Sequence, residues 1–322
     1  MALIFRNLTK YSALLLALLM LGLTLGSCGS TPKSEPPSPS PEQEESAPKD
    51  PAKEEENAEV ADEALGMRVM SFNILCNEFT SERINMVIHM IQTYQPDIIG
   101  FQDATVAWMT TLAERLGDDY GYVGCGRNAD LTGEATPVFY QKSRFTLVES
   151  ETLWLSDTPD VAGSKFESSS LPRIMTCATL EEVGTGKRFV HVNTHLDHTS
   201  EEARKAQIGV LLSQLVDLDK KQMPYVLTGD FNCTATSNEY RRLTTYGLAN
   251  SANLAKVTER GNTYHGYGTT GSVIDFIFLN KETATVDYYR ACDEVFVTVD
   301  GSVTYPSDHN PIIADLSIKE KA

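Results

Sequence analysis

Two β-sheets packed against each other, with helices on the outside, is the α+β architecture predicted for residues 66–322. Segments of helical and strand character alternate at both ends of this region, and a run of strand-like segments fills its middle. The chain is 41% hydrophobic and 22% charged, which leaves enough apolar side chains for one large core.

The first predicted strand runs from Met67 to Ile74 and is rich in β-branched and aromatic residues. From Ser81 the pattern changes: Ile84, Val87, Ile88 and Ile91 recur at helical spacing, and Pro96 ends the helix. Asp97 to Phe101 is a second apolar strand, and Val106 to Leu116 a second helix. In the middle, Thr136–Lys142, Phe145–Leu155, Ile174–Val183 and Arg188–Leu196 read as strands. Thr185-Gly186-Lys187 turns the last two into a hairpin. A helix over about 201–219 precedes the strand Tyr225–Thr228, and further strands are expected at 273–279 and 311–318. No solenoid repeat is present.

The N-terminus has a different composition. Arg6 and Lys10 precede an apolar run from Ala13 to Leu25, which is short for a membrane span of roughly 20 apolar residues. It reads as a secretory signal. Leu25-Gly26-Ser27-Cys28 resembles a bacterial lipobox, which implies cleavage after Ser27 and a diacylglyceryl thioether on Cys28. Residues 1–27 are thus expected to be a lipoprotein signal peptide. Residues 28–65 follow as a lipidated cysteine and its tether. Prolines 32, 36, 37, 39, 41, 48 and 51 block regular structure there, and large apolar residues are nearly absent. Over residues 29–65, three lysines face eleven acids, a net charge of −8, so the segment is extended and self-repelling. The expected location is extracytoplasmic, lipid-anchored to the bacterial cell membrane. No protein partner is implied.

Residues 66–322 carry 22 Lys plus Arg against 33 Asp plus Glu, a net charge of −11. A domain that grips long nucleic acid through its phosphates is expected to be basic, so tight polymer binding is disfavoured. A metal ion could still supply positive charge in a small site. With Cys28 lipidated, Cys76, Cys125, Cys177, Cys233 and Cys292 remain. Their odd number and wide spacing give neither a disulfide framework nor a zinc site, and they read mostly as small buried apolar residues.

The chemistry lies at the ends of apolar strands. Asn73 ends Val69-Met70-Ser71-Phe72-Asn73, and Gln102-Asp103 follows Ile98-Ile99-Gly100-Phe101. His195 lies in Val192-Asn193-Thr194-His195-Leu196-Asp197-His198. Asp230 and Asn232 lie in Leu227-Thr228-Gly229-Asp230-Phe231-Asn232, and Asp275 lies in Val273-Ile274-Asp275-Phe276-Ile277. Asp308-His309 lies in Pro306-Ser307-Asp308-His309-Asn310-Pro311. A carboxylate inside an apolar strand is costly unless it is paired or bound to metal. Several at strand edges point to one converging site. Acids with amide and imidazole companions, and no cysteine cluster, suit a hard cation such as Mg²⁺. Taken singly, Asn73 and Asp308 could also be turn caps, and Asp230 and Asn232 turn residues beside Gly229.

These segments, in this order from Met67 to about Leu316, resemble the endonuclease/exonuclease/phosphatase superfamily. That group includes deoxyribonuclease I, bacterial sphingomyelinases, inositol polyphosphate phosphatases and deadenylase nucleases. Glu151-Thr152-Leu153-Trp154-Leu155-Ser156, followed by Leu171-Pro172-Arg173-Ile174, looks closest to a bacterial branch near the deadenylase-like members. The resemblance implies a four-layer αββα sandwich of two packed mixed sheets, and hydrolysis of a phosphate ester with Mg²⁺ or Mn²⁺. It implies Asn73 and Asp103 as metal ligands, with Asp308 contributing. Asp230 would orient or deprotonate the attacking water, and Asn232 would steady water or phosphate. His309, its ring held by Asp275, and His195 would contact the phosphate, and no covalent enzyme intermediate would form. Arg173 either contacts phosphate or pairs with an acid at the surface. His198 and Asp197 either line the pocket or sit on its rim. His89 and His265 read as structural or solvated, and Trp108 and Trp154 as packing residues. The substrate could be nucleic acid, a lipid head group or a small phosphate ester.

One position departs from the family's pattern: Asp103 stands where Glu is usual, shorter by one methylene, about 1.3 Å of reach. This keeps a second reading open, a catalytically weak or inactive surface binding module on the same fold. The presence of Asp230, Asn232, Asp275, Asp308 and His309 argues against it.

Overall fold

The computed structural model describes residues 64–320, so the signal peptide, Cys28 and nearly all of the tether lie outside the described residues. In chain order the elements are β1 (Leu65–Asn73), α1 (Ser81–Tyr94), β2 (Ile98–Gln102), β3 (Ala104–Thr105), α2 (Val106–Leu116), β4 (Tyr120–Val123), β5 (Glu134–Ala135), β6 (Val138–Gln141), β7 (Phe145–Trp154), β8 (Ile174–Glu182) and β9 (Arg188–His195). There follow α3 (Glu201–Lys220), β10 (Tyr225–Asp230), α4 (Asn238–Tyr246), β11 (Leu248–Asn250), α5 (Ser251–Leu254), β12 (Val257–Glu259), β13 (Asp275–Asn280), β14 (Ala284–Ala291), β15 (Phe296–Val297), β16 (Val303–Thr304) and β17 (Ile312–Ile318).

One sheet has seven strands in the order β12-β14-β17-β1-β2-β6-β4, and the other six in the order β11-β13-β10-β9-β8-β7. Both are mixed. β1 runs parallel to β2 and antiparallel to β17, and β10 runs parallel to β9 and antiparallel to β13. Side-chain alternation along β1 separates the layers. Met70 and Phe72, with Ile74 just beyond, pack against Val87 and Ile91 of α1 and Trp108 and Leu112 of α2. Leu65, Met67 and Val69 point the other way, into a core shared with Phe145, Phe189, Val226 and Ile277. Beyond the second sheet, Val190, Val192 and Leu227 pack on Ile208, Leu211 and Leu215 of α3 and Leu243 of α4. Three apolar interfaces give four layers, helix-sheet-sheet-helix.

The helix starts follow capping chemistry. Thr80 accepts from Arg83 N at 3.2 Å, Ser200 from Ala203 N at 3.1 Å and Ser237 from Tyr240 N at 3.0 Å. Among the described residues, no helix is long and apolar enough to cross a membrane.

The inter-sheet core turns polar as it approaches one end of the strands. Gln102 Nε2 donates to Asn193 Oδ1 at 2.7 Å and to Ser71 Oγ at 3.1 Å, and Thr228 Oγ1 donates to the same Asn193 oxygen at 3.0 Å. Asn193 Nδ2 donates to Phe101 O at 2.6 Å. The close approach depends on Gly100: a Cβ there would lie 2.2 Å from Thr228 Oγ1. These buried bonds pin the two sheets beside the site.

Besides the short strands β3, β4, β5, β11, β12, β15 and β16 and the one-turn helix α5, two longer elements escaped the sequence reading for physical reasons. α4 buries only Glu239, Tyr240 and Leu243, too few apolar residues to set a period. In β14 a bulge between Val286 and Tyr288 breaks the period-two alternation. Cys177, Cys233 and Cys292 are buried and Cys76 and Cys125 half-buried, all as free thiols. Trp108 and Trp154 are buried, as expected of packing residues.

Candidate active site

Strand register assembles the centre. Asp230, last in β10, pairs across the sheet with His195, last in β9, and with Asp275, first in β13. Asn73 arrives from the opposite sheet at the end of β1, where its Nδ2 donates to Asp230 Oδ2 at 3.0 Å. His309 comes from the loop before β17. Ser307 Oγ accepts from His309 N at 3.2 Å and donates to Asn73 O at 2.7 Å, tying that loop to β1.

Carboxylates and imidazoles alternate along a line through this centre. His195 Nδ1 lies 2.9 Å from Asp103 Oδ1, a charge contact lacking the alignment of a hydrogen bond. His195 Nε2 lies 3.4 Å from Asp230 Oδ2, and His309 Nε2 lies 3.7 Å from the same oxygen. His309 Nδ1 then meets Asp275 Oδ2 at 2.9 Å. All five side chains are buried or nearly so.

The electrostatics follow from burial and neighbours. Burial works against a charged His309 ring, but the Asp275 carboxylate, then Asp230, outweigh it and push the ring up to about 10. Burial, then the charge of Asp275, moves Asp230 above the usual carboxylate range, while His195 and His309 pull it back. For Asp103, burial is overcome by the neighbouring His195, which holds it well below the usual range. The centre therefore combines a cationic ring with a buried carboxylate of raised pKa, a suitable pairing for acid–base work.

Asn232 adopts φ +48, a left-handed conformation that Asn tolerates. Its Nδ2 donates to Leu196 O at 3.0 Å and lies 3.0 Å from His195 Nε2, and its backbone N donates to Asp230 Oδ1 at 2.9 Å. Asp103 is also left-handed, at φ +56, which turns its carboxylate toward His195 as β2 ends. Asp308 is half-buried beside His309, and its backbone oxygen accepts from His265 N at 2.9 Å.

Arg173 is not at the surface: it is 4% exposed, with Nη2 3.1 Å from His198 Nδ1 and Nη1 4.0 Å from Glu134 Oε2. His198 is exposed on the rim. Asp197 is buried and committed to structure, accepting from Ser170 N at 2.8 Å, Thr199 N at 2.9 Å and Ser200 N at 2.9 Å. His265 is buried against Tyr305.

Three residues near the site were missed. Arg83 donates to Pro306 O at 3.0 Å and Leu75 O at 3.2 Å, stapling the His309 loop to the end of β1. Arg127 and Glu134 meet across a tight loop, Arg127 N donating to Glu134 O at 3.0 Å. Nothing in the spacing distinguished them from surface charges; only the folded loop brings them together.

The residues fit a divalent cation. Buried carboxylate oxygens of Asp230 and Asp275 lie within 4.8 Å of each other and of a His309 ring nitrogen; with that ring protonated, the two carboxylates are the groups of this cluster that offer lone pairs to a cation. The Asp275 Oδ1 atom is buried without a hydrogen-bond partner, which suits a carboxylate oxygen that takes a cation. Of the ligands expected from the sequence, Asn73 touches this cluster through Asp230, whereas Asp103 reaches it only across the His195 ring.

Residues 70–309 match the Endonuclease/Exonuclease/phosphatase family. An endonuclease/exonuclease/phosphatase family protein of Bacteroides thetaiotaomicron is 27% identical with a TM-score of 0.74, over 80% of this chain and 99% of that one. A mannosyl-6-phosphatase of the same species is 29% identical with a TM-score of 0.73, over 78% of this chain and 99% of that one. Nocturnin of Xenopus laevis is 24% identical over 74% of this chain, which spans 65% of nocturnin's length. The CCR4-Not exoribonuclease subunit of Yarrowia lipolytica is 23% identical over 79% of this chain, which spans 48% of that subunit. With solved relatives matched over 78–80% of its length and its family match covering most of the described residues, the chain belongs to the endonuclease/exonuclease/phosphatase family, whose members include nucleases, deadenylases and phosphatases that hydrolyse phosphoric esters.

Proposed function

We propose that this protein is a divalent-metal-dependent hydrolase of phosphate esters, tethered outside the bacterial cytoplasm by lipid on Cys28, in which water attacks phosphorus directly. The observation that carries the reading is the buried Asp230 set between two imidazoles, one of them held by Asp275. Asp230 orients the water and receives its proton, a role suited to a carboxylate raised by burial. Asn232, bonded to Asp230 and beside His195, fixes the water's position. His309, kept cationic by Asp275, donates to a phosphoryl oxygen and stabilises charge as it develops. His195 contacts the phosphoryl group from the other side of Asp230.

Asn73, Asp103 and Asp308 would hold Mg²⁺ or Mn²⁺; Asn73 is the one of them bonded to Asp230, while Asp103 lies on the far side of the His195 ring. The bound ion supplies Lewis acidity at the phosphoryl oxygen. A small, soluble ester is the favoured substrate over nucleic acid or a lipid head group. The net charge of −11 on residues 66–322 and the likeness to a mannosyl-6-phosphatase support this. Asp103 alone favours a binding module without catalysis.

The test is hydrolysis of bis(p-nitrophenyl) phosphate and p-nitrophenyl phosphate with Mg²⁺, Mn²⁺ or EDTA. Turnover should need the metal and fall about 10²–10⁴-fold in Asp230→Ala and His309→Ala. Metal and ligand binding without turnover of any phosphate ester would select the binding module instead.

A further inference from the structure

Between Asn73, which ends β1, and Thr80, which caps α1, the chain forms a short loop that is left-handed at two residues with side chains, Leu75 at φ +48 and Glu78 at φ +57. Such conformations are costly for a residue with a Cβ and persist where the surroundings fix them. One side chain does so here. Arg83, in the first turn of α1 and 5% exposed, donates from Nη2 to Ile74 O and from Nη1 to Asn77 O, to Leu75 O at 3.2 Å and to Glu78 O at 3.3 Å. Its Nε donates to Pro306 O at 3.0 Å, in the loop that carries Asp308 and His309. The guanidinium lies over the buried Trp108 ring, with Cζ 5.3 Å from the centroid, and Phe79 packs edge-on against the same ring at 5.1 Å.

We propose that Arg83 is a positioning residue for phosphate-ester hydrolysis, setting the separation between Asn73 and the Asp308–His309 loop without itself touching substrate or cation. The inference rests on the hydrolase reading. Both segments in the fork carry site residues. Ile74 follows Asn73 directly, and Asn73 Nδ2 reaches Asp230 Oδ2 at 3.0 Å. Pro306 leads into Ser307-Asp308-His309, where the His309 ring meets Asp275 at 2.9 Å. The bond from Ser307 Oγ to Asn73 O joins the two segments at one point, about which they could still pivot. A planar fork with donors on both segments removes that freedom, and the Trp108 ring fixes the plane of the fork. Lysine cannot take the place, because an ammonium carries fewer donors, spread around a point rather than in a plane.

The experiment compares the wild-type full chain with Arg83→Lys and with Val87→Ala. Val87 is buried on the same helix, in the core, and its truncation reports what loosening α1 does by itself. Three quantities are measured: turnover of p-nitrophenyl phosphate and bis(p-nitrophenyl) phosphate with Mn²⁺, Mn²⁺ affinity by calorimetry, and, in the metal-free protein, the proton NMR signal of His309 Nδ1–H, identified by its loss in His309→Gln. Arg83→Lys should lower kcat by about 10- to 100-fold, as expected when reacting groups are misplaced by a fraction of an ångström to an ångström. It should also weaken Mn²⁺ binding and shift or broaden the His309 signal. Val87→Ala should melt earlier than wild type yet keep its kcat, its Mn²⁺ affinity and its His309 signal. Wild-type behaviour of Arg83→Lys in all three, or the same losses in Val87→Ala, overturns the proposal. Should Arg83→Lys fail to fold, Arg83→Gln takes its place with the same expectations. If the wild type turns over neither ester, the hydrolase reading fails, and the NMR signal and Mn²⁺ affinity still decide whether Arg83 aligns the two segments.

Discussion

His309 shows how one neighbour sets a function. Its pKa is raised to about 10, against burial, by Asp275 and then Asp230. A histidine raised on folding contributes stability that is complete below its unfolded value, near 6.5, and is lost as pH rises through about 10. Catalysis that needs the imidazolium should decline over the same alkaline window. Asp275→Asn removes the main support, so the alkaline limb of the pH–rate profile should move to lower pH; a limb that stays in place would separate His309 from the titrating group. Asp103 gives the second residue-scale expectation. Its short carboxylate reaches His195, and the longer side chain of Asp103→Glu should tighten Mn²⁺ binding, read by calorimetry. Unchanged affinity would remove Asp103 from the ligand set. At this scale the sequence was informative because buried polar residues at strand ends are costly and therefore conspicuous. Asp230, Asp275, His195 and His309 stood out for that reason, whereas Arg127, on a loop rich in turn residues, and Glu134, in the two-residue strand after it, did not.

Elements were legible where a single period dominates. α1 carries Ile84, Val87, Ile88 and Ile91 on its buried face, and its observed span, Ser81–Tyr94, begins at the expected residue. The two central sheets were expected as strands because their residues are apolar over whole runs, as in β2 and β10. Short edge strands such as β11 and β12 have too few residues to show any period, and their pairing comes only from the completed sheet. α3 starts at the Ser200 cap, directly after the Asp197 turn that follows His195. Ser200→Ala should cost about 1 kcal/mol in urea unfolding, since it frees the Ala203 N–H from its side-chain acceptor. An unchanged midpoint would show that the Asp197 turn alone fixes the helix start.

Over the whole molecule, the site depends on how closely the sheets dock. Gly100 marks the tightest point, where Thr228 and Asn193 press against β2. Gly100→Ala should destabilise the fold by about 1–3 kcal/mol, the usual range for overpacking a filled core, and should reduce turnover along with stability. A stable, fully active variant would mean that the sheets separate there without consequence. The global arrangement of layers could be anticipated from alternation of elements, but this contact could not: a glycine in a strand reads the same whether a chain crosses above it or water does.

The bonds joining Gln102, Ser71, Asn193 and Thr228 have a consequence for wear. Asn73 and Asp103 belong to one sheet and its edge, Asp230, His195 and Asp275 to the other, so each half of the chemistry is carried on a separate plate. A small shear between the plates would leave every helix and strand intact yet part Asn73 from Asp230. Catalysis is thus a finer gauge of alignment than any measure of secondary structure, and this protein should lose its work before it loses its shape.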